Sequence, residues 1–343
     1  ADILQDAGSV FSLGGNDLLA TLPGWNSNTG AIVRIDASNF TPPVISASTA
    51  LVGSNAGDQI GSGGIFSLGN NRAVVLSPSW QGTAGGNAET GAVTLVSAAN
   101  AATRLQGSLS ASNSLIGSAA GDSVGKVVDA NVNGGAFVEP IQRLGTSNSY
   151  AVVSPYWSSN KGAVTLFDGV SGDLVGTVAS GNSLVGRTAG DYVGRSGYYG
   201  VSSFSSSYFF VNTSIPEQAQ ASLTTFFDLG SGYFALRSSN WLANPGDTSA
   251  AGALTWINTN ASLPVGVVNG SNSLVGAQAG DRVGLDAALR TTSTYNGQTG
   301  TTTYFDTVPL FEAIAPGVLA LRNYYFDGTQ GAMSVFNRTS APV

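Results

Sequence analysis

The chain has 343 residues, with 46 glycines, no cysteine, no histidine and a net charge of −7 from 13 basic and 20 acidic side chains. Without imidazole or thiol there is no zinc, haem or copper centre of the usual kind, no histidine acid–base pair and no cysteine nucleophile. That net negative charge, with only two lysines, Lys126 and Lys161, argues against the clustered basic face that nucleic acid or an anionic membrane rewards.

Apolar residues make up 42% of the chain and recur in short β-branched runs, the composition of a folded protein. No run approaches 18 apolar residues, so no helical membrane span is expected. Ala1 opens without a secretory-signal pattern, which fits a processed or internal start.

The first element is a strand, Thr29-Gly-Ala-Ile-Val33, with Trp25 just before it. A glycine-rich connector follows, Ser48-Thr-Ala-Leu-Val-Gly-Ser-Asn-Ala-Gly-Asp-Gln-Ile-Gly61. It recurs over 112–125, 181–194 and 271–284, with Asp58, Asp122, Asp191 and Asp281 spaced 64, 69 and 90 residues apart. A fixed motif at a long, elastic period marks a repeat architecture.

After Gly61 come Gly64-Ile-Phe-Ser-Leu-Gly-Asn-Asn71, Arg72-Ala-Val-Val-Leu76, Ser77-Pro-Ser-Trp80 and, past a polar loop, Thr90-Gly-Ala-Val-Thr-Leu-Val96. Apolar runs of five to seven residues bounded by Gly, Asn and Pro read as short strands, and Gly-Asn-Asn as a hairpin turn. No helical period of useful length occurs. The chain is read as all-β.

Counterparts of the Gly-Ala-Val-Thr strand stand at Lys161–Thr165, Ala251–Thr255 and Gln330–Ser334. Trp157 and Trp241 repeat the tryptophan, with Tyr325 in its place in the fifth copy. Five strands against four connectors predict five units, approximately 1–54, 55–118, 119–187, 188–277 and 278–343. The expected fold is a single five-bladed β-propeller over 1–343, each blade four antiparallel strands, the fourth around Ser-Asn-Ser-Leu-Val-Gly. A β-solenoid, whose rungs are shorter, and a segment cut from a longer array are the alternatives. Extra residues fall near 126–140, 195–225 and 285–310, which predicts hairpins inserted on one face.

Ala-Gly-Asp-x-Val-Gly, a strand pair, Ser-Pro-x-Trp and Gly-Ala-Val-Thr together resemble the repeat of large bacterial filamentous-haemagglutinin-like surface adhesins. More distantly, Val124-Gly125 and Ser154-Pro155 resemble the landmarks of FG-GAP repeats in integrin α-subunit propellers. The resemblance covers the chain apart from 195–225 and 285–310. It implies a secreted or surface-displayed propeller used in attachment, and names no ligand.

The four connector aspartates are expected to accept backbone N–H bonds and fix a tight turn, with a ring of ligands as the alternative. Asp129, Asn131 and Asn133, followed by Gly134, match the opening of a calcium loop, though Pro140 holds the twelfth place and Glu139 falls one residue early. An Asn-Gly turn is the competing reading; FG-GAP repeats imply calcium in a comparable place. Tyr198, Tyr199, Phe204, Tyr208, Phe209 and Phe210 crowd a serine-rich insertion and are candidates for a contact surface or for core. The tryptophans are read as packing between units rather than as sugar platforms. Asp129, Glu139, Asp228, Asp286 and Glu312 are unrepeated acids, but no spacing pairs two of them as a glycosidase needs. Five Asn-x-Ser/Thr sequons, at Asn39, Asn212, Asn260, Asn269 and Asn337, are what chance yields in this composition.

The expectation is an extracellular or cell-surface, non-enzymatic adhesion or scaffold module of a bacterial protein, without cofactor. Its partner would be a protein or glycan surface or a second copy. The alternatives are a glycan-binding lectin and a self-assembling filament subunit.

Overall fold

The computed structural model describes residues 9–39, 44–82, 88–127, 139–145, 148–170, 173–195, 225–284, 287–296, 300–309, 311–315, 318–323 and 332–337. Among them the structure is all-β, with a helical turn at Ala101–Arg104 and tight turns that pass through positive φ at Trp25–Asn28 and Trp157–Asn160. The first repeat holds β1 (Ser9–Gly14), β2 (Asp17–Leu22), β3 (Ala31–Asp36) and β4 (Ala50–Val52). The second holds β5 (Ile65–Gly69), β6 (Arg72–Ser77), β7 (Ala92–Ser97), β8 (Gly107–Ser108) and β9 (Leu115–Ile116). The third holds β10 (Ile141–Arg143), β11 (Ser149–Ser154), β12 (Ala163–Asp168), β13 (Gly176–Thr177) and β14 (Leu184–Val185). The fourth holds β15 (Phe226–Gly230), β16 (Tyr233–Ser238), β17 (Ala253–Asn258), β18 (Gly266–Val267) and β19 (Ser273–Val275). After the fourth repeat come β20 (Ala287–Asn296), β21 (Gly300–Pro309), β22 (Phe311–Ala315), β23 (Val318–Asn323) and β24 (Ala332–Asn337).

In the first four repeats the expected antiparallel strands are present, and the fourth of them is the connector segment: β4, β9, β14 or β19. The Gly-Asn-Asn signal is a tight turn between β5 and β6, with Asn70 and Asn71 both at positive φ. The structure adds a strand the sequence pattern did not announce. β8 pairs parallel to β4, β13 to β9 and β18 to β14, so three sheets carry a fifth strand taken from the repeat that follows. The insertion at 285–310 is a hairpin: β20 and β21 pair from Ala287↔Pro309 to Asn296↔Gly300 and form a two-stranded sheet of their own.

The chain divides into two compact units. Residues 1–127, 139–193 and 262–267 belong to the first, and 194–261 and 268–343 lie in the second. In the first unit, side chains alternate along each strand between two cores. Ala73 and Val75 of β6 join Leu19, Ile32 and Leu51 of the first repeat, while Val74 and Leu76 join Tyr150 and Val152 of the third. Burial on both faces explains why the runs are continuously apolar instead of alternating. Tyr150 ties the two sheets further, its hydroxyl donating to the Leu68 carbonyl at 2.6 Å. In the second unit Leu229, Ala235 and Leu254 share a core with Leu319 and Leu321.

One buried polar pair recurs inside this apolar packing. The Thr94 and Ser114, Thr165 and Ser183, and Thr255 and Ser273 hydroxyls lie 2.7 Å apart in each case. In the first repeat the same two places, opposite each other across β3 and β4, are Val33 and Ala50. In these four repeats the hydroxyls are present together or absent together, because a lone buried hydroxyl is costly. Ser114→Ala should therefore lower stability by about 1–2 kcal/mol by stranding the Thr94 hydroxyl, and adding Thr94→Val should restore most of it. Urea unfolding midpoints of the two variants and the parent read the difference; additive losses would contradict it.

Candidate functional site

The repeated connector is the most elaborately bonded feature of the described chain. Each of its aspartates is buried. One carboxylate oxygen of Asp58 accepts the Ser54 and Asn55 N–H groups at 2.7 and 2.8 Å. Asp191 takes those of Arg187 and Thr188, and Asp281 those of Ala277 and Gln278. This is the turn-fixing role expected from Asp beside Gly. The other oxygen reaches forward into the next repeat: Asp58 accepts the Gln81 N–H at 3.1 Å, and Asp122 the Ser158 N–H at 2.7 Å. Gln81 and Ser158 each directly follow the repeat's tryptophan. The carboxylate is thus a clip between consecutive repeats.

Backbone approach decides the glycines on either side. Gly53, Gly117, Gly186 and Gly276 donate to Gly30, Gly91, Gly162 and Gly252, the glycines that open the Gly-Ala strands. A Cβ on Gly117 would run into the Thr90 carbonyl, and one on Gly91, which is at positive φ, into the Val124 backbone. The connector then returns along the same strand, where Ile60, Val124, Val193 and Val283 make parallel bridges to those strand glycines.

Trp80 is buried in the core shared by the first and second repeats, and Trp157 packs against the core of the second and third. Both do the inter-repeat packing expected of them. In the second unit, Trp241 is buried and donates its indole N–H to the Val268 carbonyl at 3.3 Å. Tyr325, expected in the tryptophan's place in the fifth copy, lies outside the described residues. Sequence reasoning missed the turns that follow Trp25 and Trp157. Asn26, Ser27 and Asn28, and Ser158, Ser159 and Asn160, are consecutive residues at φ between 49° and 66°. Such a left-handed turn is unfavourable by roughly 1 kcal/mol per residue. It turns the Asn28 and Asn160 carbonyls onto the connector, where each accepts two N–H groups.

Asp129, Asn131 and Asn133, and Tyr198, Tyr199, Phe204, Tyr208, Phe209 and Phe210, lie outside the described residues. Among the described residues no three acidic side chains come close enough to hold a metal ion. One repeated position changes chemical character. Arg237 and Arg322 stand where the second and third repeats have Leu76 and Val153. Arg237 is buried, and that burial pushes its guanidinium down to about 9. It is still a cation at neutral pH.

Asp122→Asn keeps the volume but sets an amide N–H₂ among four donors: the N–H groups of Ser118, Ala119 and Ser158 and the Ser118 hydroxyl. A loss of about 3 kcal/mol is expected, since bonds to a charged acceptor are the strong ones. A urea midpoint within error of the parent would refute the clip.

A crystal structure of a eukaryotic initiation factor is 11% identical, with a TM-score of 0.27, over 98% of this chain and 54% of that one. This chain thus spans about half the length of that one, and a superposition so loose carries no argument about fold or role. No curated protein matches. A family model does, four times, over residues 16–62, 67–126, 145–195 and 228–285. Each match runs through a connector, so that the four aspartates and the glycines they hold fall inside the matched windows. With more than half of its residues covered, the chain belongs to the family described as a repeat of unknown function (DUF5650).

Proposed function

We propose that the chain is a non-enzymatic adhesion or scaffold module displayed outside the cell, built as a five-bladed β-propeller. One observation carries this reading. The residues that recur from repeat to repeat are buried and engaged with backbone or with facing strands, whereas β20–β21, the longest inserted element among the described residues, is paired with no repeat sheet. What the chain repeats is architecture, and what it varies is loop. The likeness of its connector to surface-adhesin repeats supports the same role. Repeat sheets stacked face to face, each two-sided, are what a propeller needs.

A second reading, self-assembly into a filament, draws on the same hairpin. Strand edges left open among the described residues are templates for pairing with another chain.

Fluorescent chain applied to intact cells and to a glycan array should bind one of them saturably. Replacing Ala287–Pro309 by an Asn-Gly turn should remove that binding while leaving the melting curve in place. Absence of saturable binding to any surface would sink the adhesive reading. Sedimentation at high concentration separates the filament: a species of 34.6 kDa at every concentration removes it. The ring has its own test, because a chain without cysteine accepts a dye pair at chosen sites. Dyes on Ser9→Cys and Ala332→Cys should show high transfer efficiency across the seam of a closed ring, and low efficiency would exclude closure.

A further inference from the structure

We infer that the parallel pairs β4–β8, β9–β13 and β14–β18 are force clamps that keep the repeats folded when the chain is pulled from its ends. Each pair joins two segments far apart in sequence, Leu51 to Gly107, Leu115 to Gly176 and Leu184 to Gly266. The chain between the partners is the body of the following repeat, so each pair closes a loop: residues 53–106, 117–175 and 186–265. Tension along the polypeptide enters the clamp at the N-terminal end of the first strand and leaves at the C-terminal end of the second. Since the strands are parallel, those two points lie at opposite ends of the pair. The load then runs along the strands and acts on every cross-strand bond at once. Force applied at the same end of both strands would open the bonds one by one.

Bonds beyond the paired residues strengthen each junction. The Leu109 N–H donates to the Val52 carbonyl at 3.0 Å, and the Val178 N–H to Ile116 at 2.9 Å. The Gly107 N–H donates to Ala47 at 2.6 Å, Gly176 to Ser114 at 3.1 Å and Gly266 to Ser183 at 3.0 Å. The second strand is also anchored within its own repeat. Asn113 donates its side-chain amide to the Ser108 carbonyl, and Asn182 to that of Thr177, both at 3.0 Å. Inside the closed loop the Asp58 and Asp122 clips hold the repeat to the connector. Rupture under load is a rate, set by the barrier to shearing these bonds and not by the equilibrium stability of the repeat. The inference concerns load and holds whatever ligand the module carries.

Single-molecule stretching of the full chain between handles at its two ends tests it. Three rupture steps are expected, which release about 180, 200 and 270 Å of contour at roughly 3.4 Å per freed residue. A second geometry places handles on Ser48→Cys and Gln106→Cys, two exposed positions at the N-terminal side of the first pair. There the β4–β8 junction should open at lower force than in the end-to-end pull. Extension without these steps, or equal rupture forces in the two geometries, would overturn the inference.

Discussion

A buried carboxylate that accepts from two places at once is the constraint on which the rest of the structure depends. Asp122 gathers the Ser118 and Ala119 N–H groups with one oxygen and the Ser158 N–H with the other. An ion removed from water is costly unless its acceptor sites are filled, so the backbone around it must converge. That requirement fixes the connector turn and the start of the strand it folds back on. It also fixes the point at which the next repeat's tryptophan leaves its strand. Gly53, Gly117, Gly186 and Gly276 follow from the same crowding, because each sits where a Cβ would strike a carbonyl of the facing strand.

Two-sided burial accounts for the unusual composition. A sheet covered on both faces has no polar face, so β6 reads Ala-Val-Val-Leu without interruption and β7 Ala-Val-Thr-Leu-Val. Charge is pushed out to strand ends and turns, where Arg34–Asp17, Arg104–Asp173 and Lys126–Glu89 pair at 2.6–2.7 Å. Pairs this exposed add little stability. What charge does not supply, buried hydroxyl pairs and the aspartate clip supply from inside. Arg237 departs from that rule: a buried cation in the second unit, it holds a place that is apolar in the second and third repeats.

Much of this was legible in the sequence wherever the cause is local. Asp beside Gly announced its turn, Gly-Asn-Asn its hairpin, and β-branched runs their strands. The Gly-x steps β8, β13 and β18 escaped because two residues carry no period. The available signal was a glycine eight residues before each Leu-Ile/Val pair, at Gly107, Gly176 and Gly266, with Pro43 in its place in the first repeat. The second oxygen of the clip escaped because its partner lies 23 or 36 residues away. The left-handed turn at Ser158-Ser-Asn160 escaped because serine seldom adopts positive φ, and here it is held by the connector N–H groups. The candidate calcium and aromatic residues rest on sequence pattern alone.

The same bonds explain why the repeat period is elastic in one place and rigid elsewhere. Between the Gly-x strand and the connector strand both ends are tied to the preceding sheet or to each other, and the spacing from glycine to leucine stays at eight. The chain lengthens instead between the connector's last glycine and the next hairpin. The clip tolerates this because it closes on the residue after the tryptophan whatever the path. It spans 23 residues from Asp58 to Gln81 and 36 from Asp122 to Ser158. The longer loop costs only about 0.4 kcal/mol more to close, since closure entropy grows with the logarithm of length. A carboxylate bonded by three or more donors outweighs that difference several times over. Insertions such as β20–β21 can therefore accumulate at that point while the sheets, their cores and the parallel junctions keep their geometry.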